Sequence, residues 1–143
     1  MATLLDGGNT KFMSTTLPNV GLAVTRLLSL PLSELERYRN KHVYISSFGI
    51  SQREILDSVQ RATNTTDKDW TIEHTKSDIV MEKAKSKFET GDMTEIAAWV
   101  YATNIKESFG GDYAASGRAV AHVVLGLPDK DLNAVTAEVI SGM

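Results

Sequence analysis

The residues with the chemistry to act as acids or bases are few and scattered. The three histidines, His42, His74 and His122, lie far apart and lack the i, i+4 spacing that puts two imidazoles on one helix face around a metal. His74 stands out because Glu73 precedes it and Asp78 follows closely, and a carboxylate neighbour can hold an imidazole ready for proton transfer. A solvent-facing histidine at a strand end would look the same. Asp112 and Tyr113 follow Gly110-Gly111 and could point into a cleft or simply cap the next element. His74, Asp112 and Tyr113 are therefore the candidate catalytic groups. Trp99, Tyr101, Phe109 and Tyr113 form the aromatic cluster best suited to a flat aromatic or polyketide-like ligand, each ring offering broad contact area and some a polar tip. The same four rings would also suit a core.

Nucleotide chemistry has no foothold. None of the 10 glycines fall into G-x-G-x-x-G between a strand and a helix. The stretch Gly111–Arg118 has one residue too many between its glycines for a phosphate loop, lacks the Lys-Ser/Thr ending, and carries Asp112, which would repel phosphate. Tyr38, Tyr44, Tyr101 and Tyr113 are followed four positions later by His42, Phe48, Ile105 and Gly117, so no Tyr-x-x-x-Lys pair exists. There is no Gly-x-Ser-x-Gly elbow. With no cysteine, disulfides, thiolate nucleophiles and Cys-ligated zinc are excluded. The chain thus carries no cofactor site of its own and is not a complete dehydrogenase.

The elements that must position these groups read as α+β: a small mixed sheet with several packed helices, one domain over residues 1–143. Extended pieces at Ala2–Leu5 and Lys11–Met13 flank an Asp6-Gly7-Gly8-Asn9 turn. Thr16 caps a helix with Pro18 in its first turn, running to about Leu30 and expected to bury Val20, Ala23, Val24, Leu27 and Leu28. Ser33-x-x-Glu36 suggests a capping box for a short helix through Arg39. His42–Phe48 reads as the clearest strand. Ser51-x-x-Glu54 opens a helix burying Ile55, Leu56, Val59 and Ala62, and Trp70–Glu73 is a further strand. A helix from Ser77, striped by Val80, Met81, Ala84 and Phe88, ends at Gly91. The run Ile96–Ala102 is apolar nearly all round, which places it in the core or along a pocket. Ala119–Leu125 reads as a short buried helix, and Asp131–Ile140 as a last amphipathic one on Leu132, Val135 and Val139.

Net charge is -3, and basic residues do not interleave with aromatics, so neither nucleic acid nor membrane is an expected partner. No basic n-region with an apolar h-region opens the chain, and a cytoplasmic protein is the expectation.

Several segments, in order, carry a resemblance: Thr15-Thr16-Leu17 with Val20–Val24, Asn40–Phe48, Ser51–Arg61, Asp69-Trp70, and Val124–Pro128. Together they resemble the substrate-side, C-terminal part of the fungal NmrA-like or isoflavone-reductase-like proteins, atypical short-chain dehydrogenases. The resemblance implies a domain that covers a cleft, with Ser14–Leu17 and Met93–Tyr113 facing it, so Thr15 and Thr16 join the candidate substrate-binding residues. It also implies that NAD(P)H would enter only if a separate nucleotide-binding half were supplied. Three functions follow as expectations: a cofactor-independent isomerase or cyclase acting on a secondary metabolite, one part of an NAD(P)H-dependent reductase, or a non-catalytic regulator. A half-protein would leave a strand edge open, His42–Phe48 foremost, and a homo-oligomer would satisfy it.

Overall fold

The computed structural model describes residues 1–118 and 120–142; Ala119 and Met143 are outside the description. Among the described residues four short strands form two separate pairs, and six α-helices pack around them. The fold is mixed α+β. Strand β1 (Ala2–Leu5) pairs in parallel with β4 (Ile72–Thr75), while β2 (Phe12–Ser14) pairs antiparallel with β3 (Phe48–Ile50).

The turn after β1 places Asp6, Gly7 and Gly8 all at positive φ, which two glycines and an aspartate tolerate. Helix α1 (Leu17–Leu28) starts where Thr16 accepts the Asn19 backbone N–H, with Pro18 in the first turn. Helix α2 (Leu32–Leu35) continues as a 3-10 turn, Glu36–Tyr38. Its N-cap is Pro31, so Ser33 and Glu36 do not form the expected capping box. Helix α3 (Gln52–Thr63) does begin with a complete box, Ser51 and Glu54 each receiving the other's backbone N–H. The strand expected at Trp70–Glu73 lies slightly later, at β4. Helix α4 (Ser77–Phe88) is followed by Gly91 at positive φ, and helix α5 (Ile96–Ile105) packs against α4. Helix α6 (Leu132–Ser141), capped by Asp131, lies on α3.

Two apolar clusters hold this together. Leu5, Phe12, Ile50, Ala102 and Ile105 join both strand pairs to α5. Ala23, Ala121, Leu125 and Leu127 join α1 to the chain's C-terminal third. Between α3 and α6 the contact is polar: buried Ser58 lies 2.9 Å from both Asn133 Oδ1 and Thr136 Oγ1, and Arg61 also donates to Asn133.

Four expectations are corrected. His42–Phe48 is not a regular strand; it meets another strand-like residue only in a single bridge from Tyr44 to Val120, and regular pairing starts at Phe48. Its polar groups are instead met one at a time: Ser47 N–H donates to Ser14 O, Ala121 N–H to Tyr44 O, and Thr15 Oγ1 to Ile45 O. That segment is a strap held on both sides, so the open edge expected there is absent. Helix α1 turns Asn19 and Ala23 inward with Leu27 packed beside them, as expected for Ala23 and Leu27, but leaves Val20, Val24 and Leu28 39%, 51% and 68% exposed. In α3, Ala62 is exposed while Ser58 and Gln60 are buried. Val120 forms the bridge to Tyr44 and residues 121–126 form turns rather than a helix, although Ala121 and Leu125 are buried; Ala119 lies outside the described residues.

Candidate functional site

The last turns of α5 and the loop that follows enclose an open groove of about 550 Å³. Trp99, Val100, Thr103 and Asn104 form its helical wall, and Phe109, Gly110, Gly111, Tyr113 and Arg118 form the opposite one. Trp99 is held from behind by Phe88 of α4, the two rings meeting edge to face at 6.3 Å. A 3-10 turn, Glu107–Phe109, carries Phe109 round the end of α5, and Gly110 then adopts a left-handed φ of 72° to reverse the chain. Lys106 Nζ sits 6.0 Å from the Phe109 ring and pairs with Asp78 of α4, which ties this turn to the helix pair.

Gly111 sets the width of the groove. A Cβ there would lie 2.8 Å from the Asn104 carbonyl carbon, and closer still to its oxygen. Only glycine lets the loop press against the end of α5, while Gly111 O accepts the Met13 N–H at 3.0 Å from the other side. Tyr113 follows, half-buried, its ring 5.1 Å from Tyr44 and its hydroxyl donated to the Ile45 carbonyl. Thr15 Oγ1 donates to that same carbonyl at 3.1 Å. Burial pushes the Tyr113 phenol above its ordinary pKa, more than a hydrogen bond with Ser46 lowers it. At neutral pH this hydroxyl is therefore protonated, with its proton committed to the backbone.

The structure brings Trp99, Phe109 and Tyr113 together around one groove. Tyr101, two positions beyond Trp99 on α5, borders instead a smaller apolar hollow of about 250 Å³, shared with Leu4, Ile55, Val59 and Trp70. Asp112 turns its carboxylate to the Ala115 N–H at 2.9 Å and borders a separate polar hollow with Lys11 and Glu107. His74 lies on β4 opposite Leu4, exposed and outside the groove. Thr16 caps α1, and Thr15 reaches the groove only through the carbonyl it shares with Tyr113.

Sequence reasoning missed Arg118, Asn104 and Tyr44. Arg118 was visible as the cation that ends the glycine-flanked loop, and Tyr44 as an aromatic in the strap. Nothing in their spacing places them beside α5.

The relatives found are fungal proteins named as oxidoreductases. The chain is 26% identical over 141 residues to "Oxidoreductase aprR" of Aspergillus flavus, a match covering 99% of this chain and 45% of that protein. It is 28% identical over 99 residues to "Oxidoreductase poxI" of Penicillium oxalicum, covering 69% of this chain and 28% of that protein. This chain thus spans less than half the length of the relatives it matches. No family model and no solved structure matches it. The chain is thus similar to a part of each of these longer fungal proteins.

Among the described residues no helix is long and apolar enough to cross a membrane. No group of three His, Asp or Glu side chains among them is arranged to hold a metal ion.

Proposed function

We propose that this chain is a small-molecule-binding domain of NmrA-like descent that takes a flat aromatic or polyketide-like metabolite into the groove between α5 and the Phe109–Arg118 loop. One observation carries the reading. Trp99, Phe109 and Tyr113, from a helix, a 3-10 turn and a loop, border the same open groove, and each ring has a support behind or beside it (Phe88, Lys106 and Tyr44). Braced rings of this kind give contact area at low conformational cost.

The geometry favours binding and orientation over proton transfer. Isomerisation or cyclisation without a cofactor needs a donor or base within hydrogen-bond reach of the ligand. Tyr113 gives its proton to Ile45, Asp112 serves the Ala115 N–H, and His74 is on another part of the surface. A Trp70→Phe variant leaves Trp99 as the sole tryptophan, and its fluorescence should be quenched saturably by naphthalene-sized aromatics. Absence of saturable quenching at millimolar ligand would sink the proposal.

A second reading has its own support in the names and lengths of the relatives: the chain acts as the substrate-side part of an NAD(P)H-dependent reductase whose nucleotide site lies on other polypeptide. NADPH fluorescence titration separates the two. Binding to this chain alone would place cofactor contacts here. No binding alone, with activity restored by a nucleotide-binding partner, would favour the reductase.

A further inference from the structure

We infer that the groove selects aromatic ligands bearing an anionic oxygen group, a carboxylate or an ionised phenol, and that Arg118 is the residue that selects them. The inference rests on the groove being a ligand site, and it adds the charge of the ligand.

Arg118 stands at the groove's rim with its guanidinium 5.3 Å from the Tyr44 ring centroid, and Tyr44 in turn packs on Tyr113. Stacking over a ring fixes the plane of a guanidinium while leaving its edge N–H donors free to meet an anion. The other arginines are engaged. Arg26 donates to the Leu125 and Gly126 carbonyls, Arg37 and Arg39 pair with Glu34 and Glu36, Arg53 bridges Asp57 and Asp67, and Arg61 donates to Asn133. Among the described residues no carboxylate lies within ion-pair distance of Arg118.

The groove wall sharpens the point. Among the described residues it carries this one cation and no acidic side chain, in a chain whose net charge is -3. The two other large polar hollows each include carboxylates, Glu107 with Asp112 in one and Asp57 with Asp67 in the other. Asp112, the acid nearest in sequence, is turned to the Ala115 N–H in the neighbouring hollow and does not neutralise the arginine. A positive rim above three aromatic rings fits a planar ligand with its negative group at one end. Asn104 on the helical wall can meet a second polar substituent.

The test compares 2-naphthoate with 2-naphthamide, which share shape and differ in charge, by Trp99 quenching in the Trp70→Phe protein at pH 7. Naphthoate should bind roughly three- to tenfold tighter, as expected for a charged hydrogen bond at a partly exposed rim. Arg118→Gln should bring the two ligands to equal affinity, and Arg118→Lys should retain part of the preference for naphthoate. Equal binding of the two ligands to the wild-type groove would overturn the inference and leave the groove standing. Quenching by neither would overturn both.

Discussion

Replacing Gly111 with alanine tests how the groove is built. The added Cβ would meet the backbone of Asn104, with the carbonyl carbon at 2.8 Å and the side-chain Oδ1 at 3.0 Å, and the carbonyl oxygen nearer still. The obstacle is the last turn of a helix whose Ala102 and Ile105 are fully buried, so it cannot give way as a flexible side chain would. Retreat of the loop would break the Met13 N–H to Gly111 O bond at 3.0 Å. Overpacking of this kind costs about 1–3 kcal/mol, and the hydrogen bond adds about 1 kcal/mol. The expected loss of about 2–4 kcal/mol corresponds to a fall in Tm of roughly 5–15 °C for a chain of this size. Gly110→Ala is the internal control. It meets nothing within 4 Å but sits at φ 72°, so it should cost only about 1–2 kcal/mol. Thermal unfolding followed by circular dichroism ranks the pair, and Trp99 emission reports whether the groove has opened. If Gly111→Ala were as stable as wild type, or milder than Gly110→Ala, the clamped-loop argument would be refuted.

Asn19 is buried and donates to Ser47 Oγ at 2.9 Å, so Asn19→Ala strands a polar partner and should lower the urea-derived stability by about 1–3 kcal/mol; a loss below about 0.5 kcal/mol would mean that α1 is not docked on the strap. Arg53 joins Asp57 of α3 to Asp67 of the following loop, and Arg53→Gln should make the Asn64–Asp69 loop the first site of limited proteolysis; unchanged cleavage would contradict this. The Asp6 carboxyl is held below its ordinary pKa, chiefly by hydrogen bonding with Ser77, and Glu54 chiefly by Lys11. Groups depressed in the folded state contribute fully above their unfolded pKa, near 4, and lose that contribution as pH falls through the folded value. The urea midpoint should accordingly stay level from pH 7 to about 5 and drop below about 4, with Asp6→Asn flattening the drop; a midpoint that rises on acidification would contradict the assignment. We also propose self-association through the exposed α1 stripe of Leu17, Val20, Val24 and Leu28, for which light scattering showing a clean monomer at micromolar concentration would be the contrary result.

Features decided within a few residues were legible in the sequence. Thr16 and Ser51 cap the helices they were expected to cap, because a side-chain oxygen reaching N–H groups two or three residues on needs no tertiary context. Faces and partners were harder. Helix α1 is apolar at 20, 24 and 28 and again at 22, 23 and 27, so periodicity alone offers two stripes; the packing of Ala121, Leu125 and Leu127 against Ala23, Leu22 and Leu27 selects the second. The β-branched, aromatic strap around Tyr44 has strand composition, yet its carbonyls are met by hydroxyls of Thr15 and Tyr113 and by a lone backbone bridge. Such long-range side-chain pairing leaves no periodic trace. The aromatic cluster was partly legible: three of its four rings share the groove, and Tyr101 departs because it lies two positions from Trp99, about 200° round the helix. Arg118 was legible as a residue type but not as a neighbour of α5.

The most direct measurement of the central claim uses the two indole N–H resonances of the ¹⁵N-labelled protein. Trp99 borders the aromatic groove, whereas Trp70 lies by the apolar hollow with its indole bonded to Thr65 at 2.9 Å. On titration with 2-naphthoate the Trp99 resonance should shift saturably while that of Trp70 stays in place. Movement of Trp70 with Trp99 unchanged would put ligand in the β1–α3 hollow instead, and movement of neither would show that the groove is not a binding site.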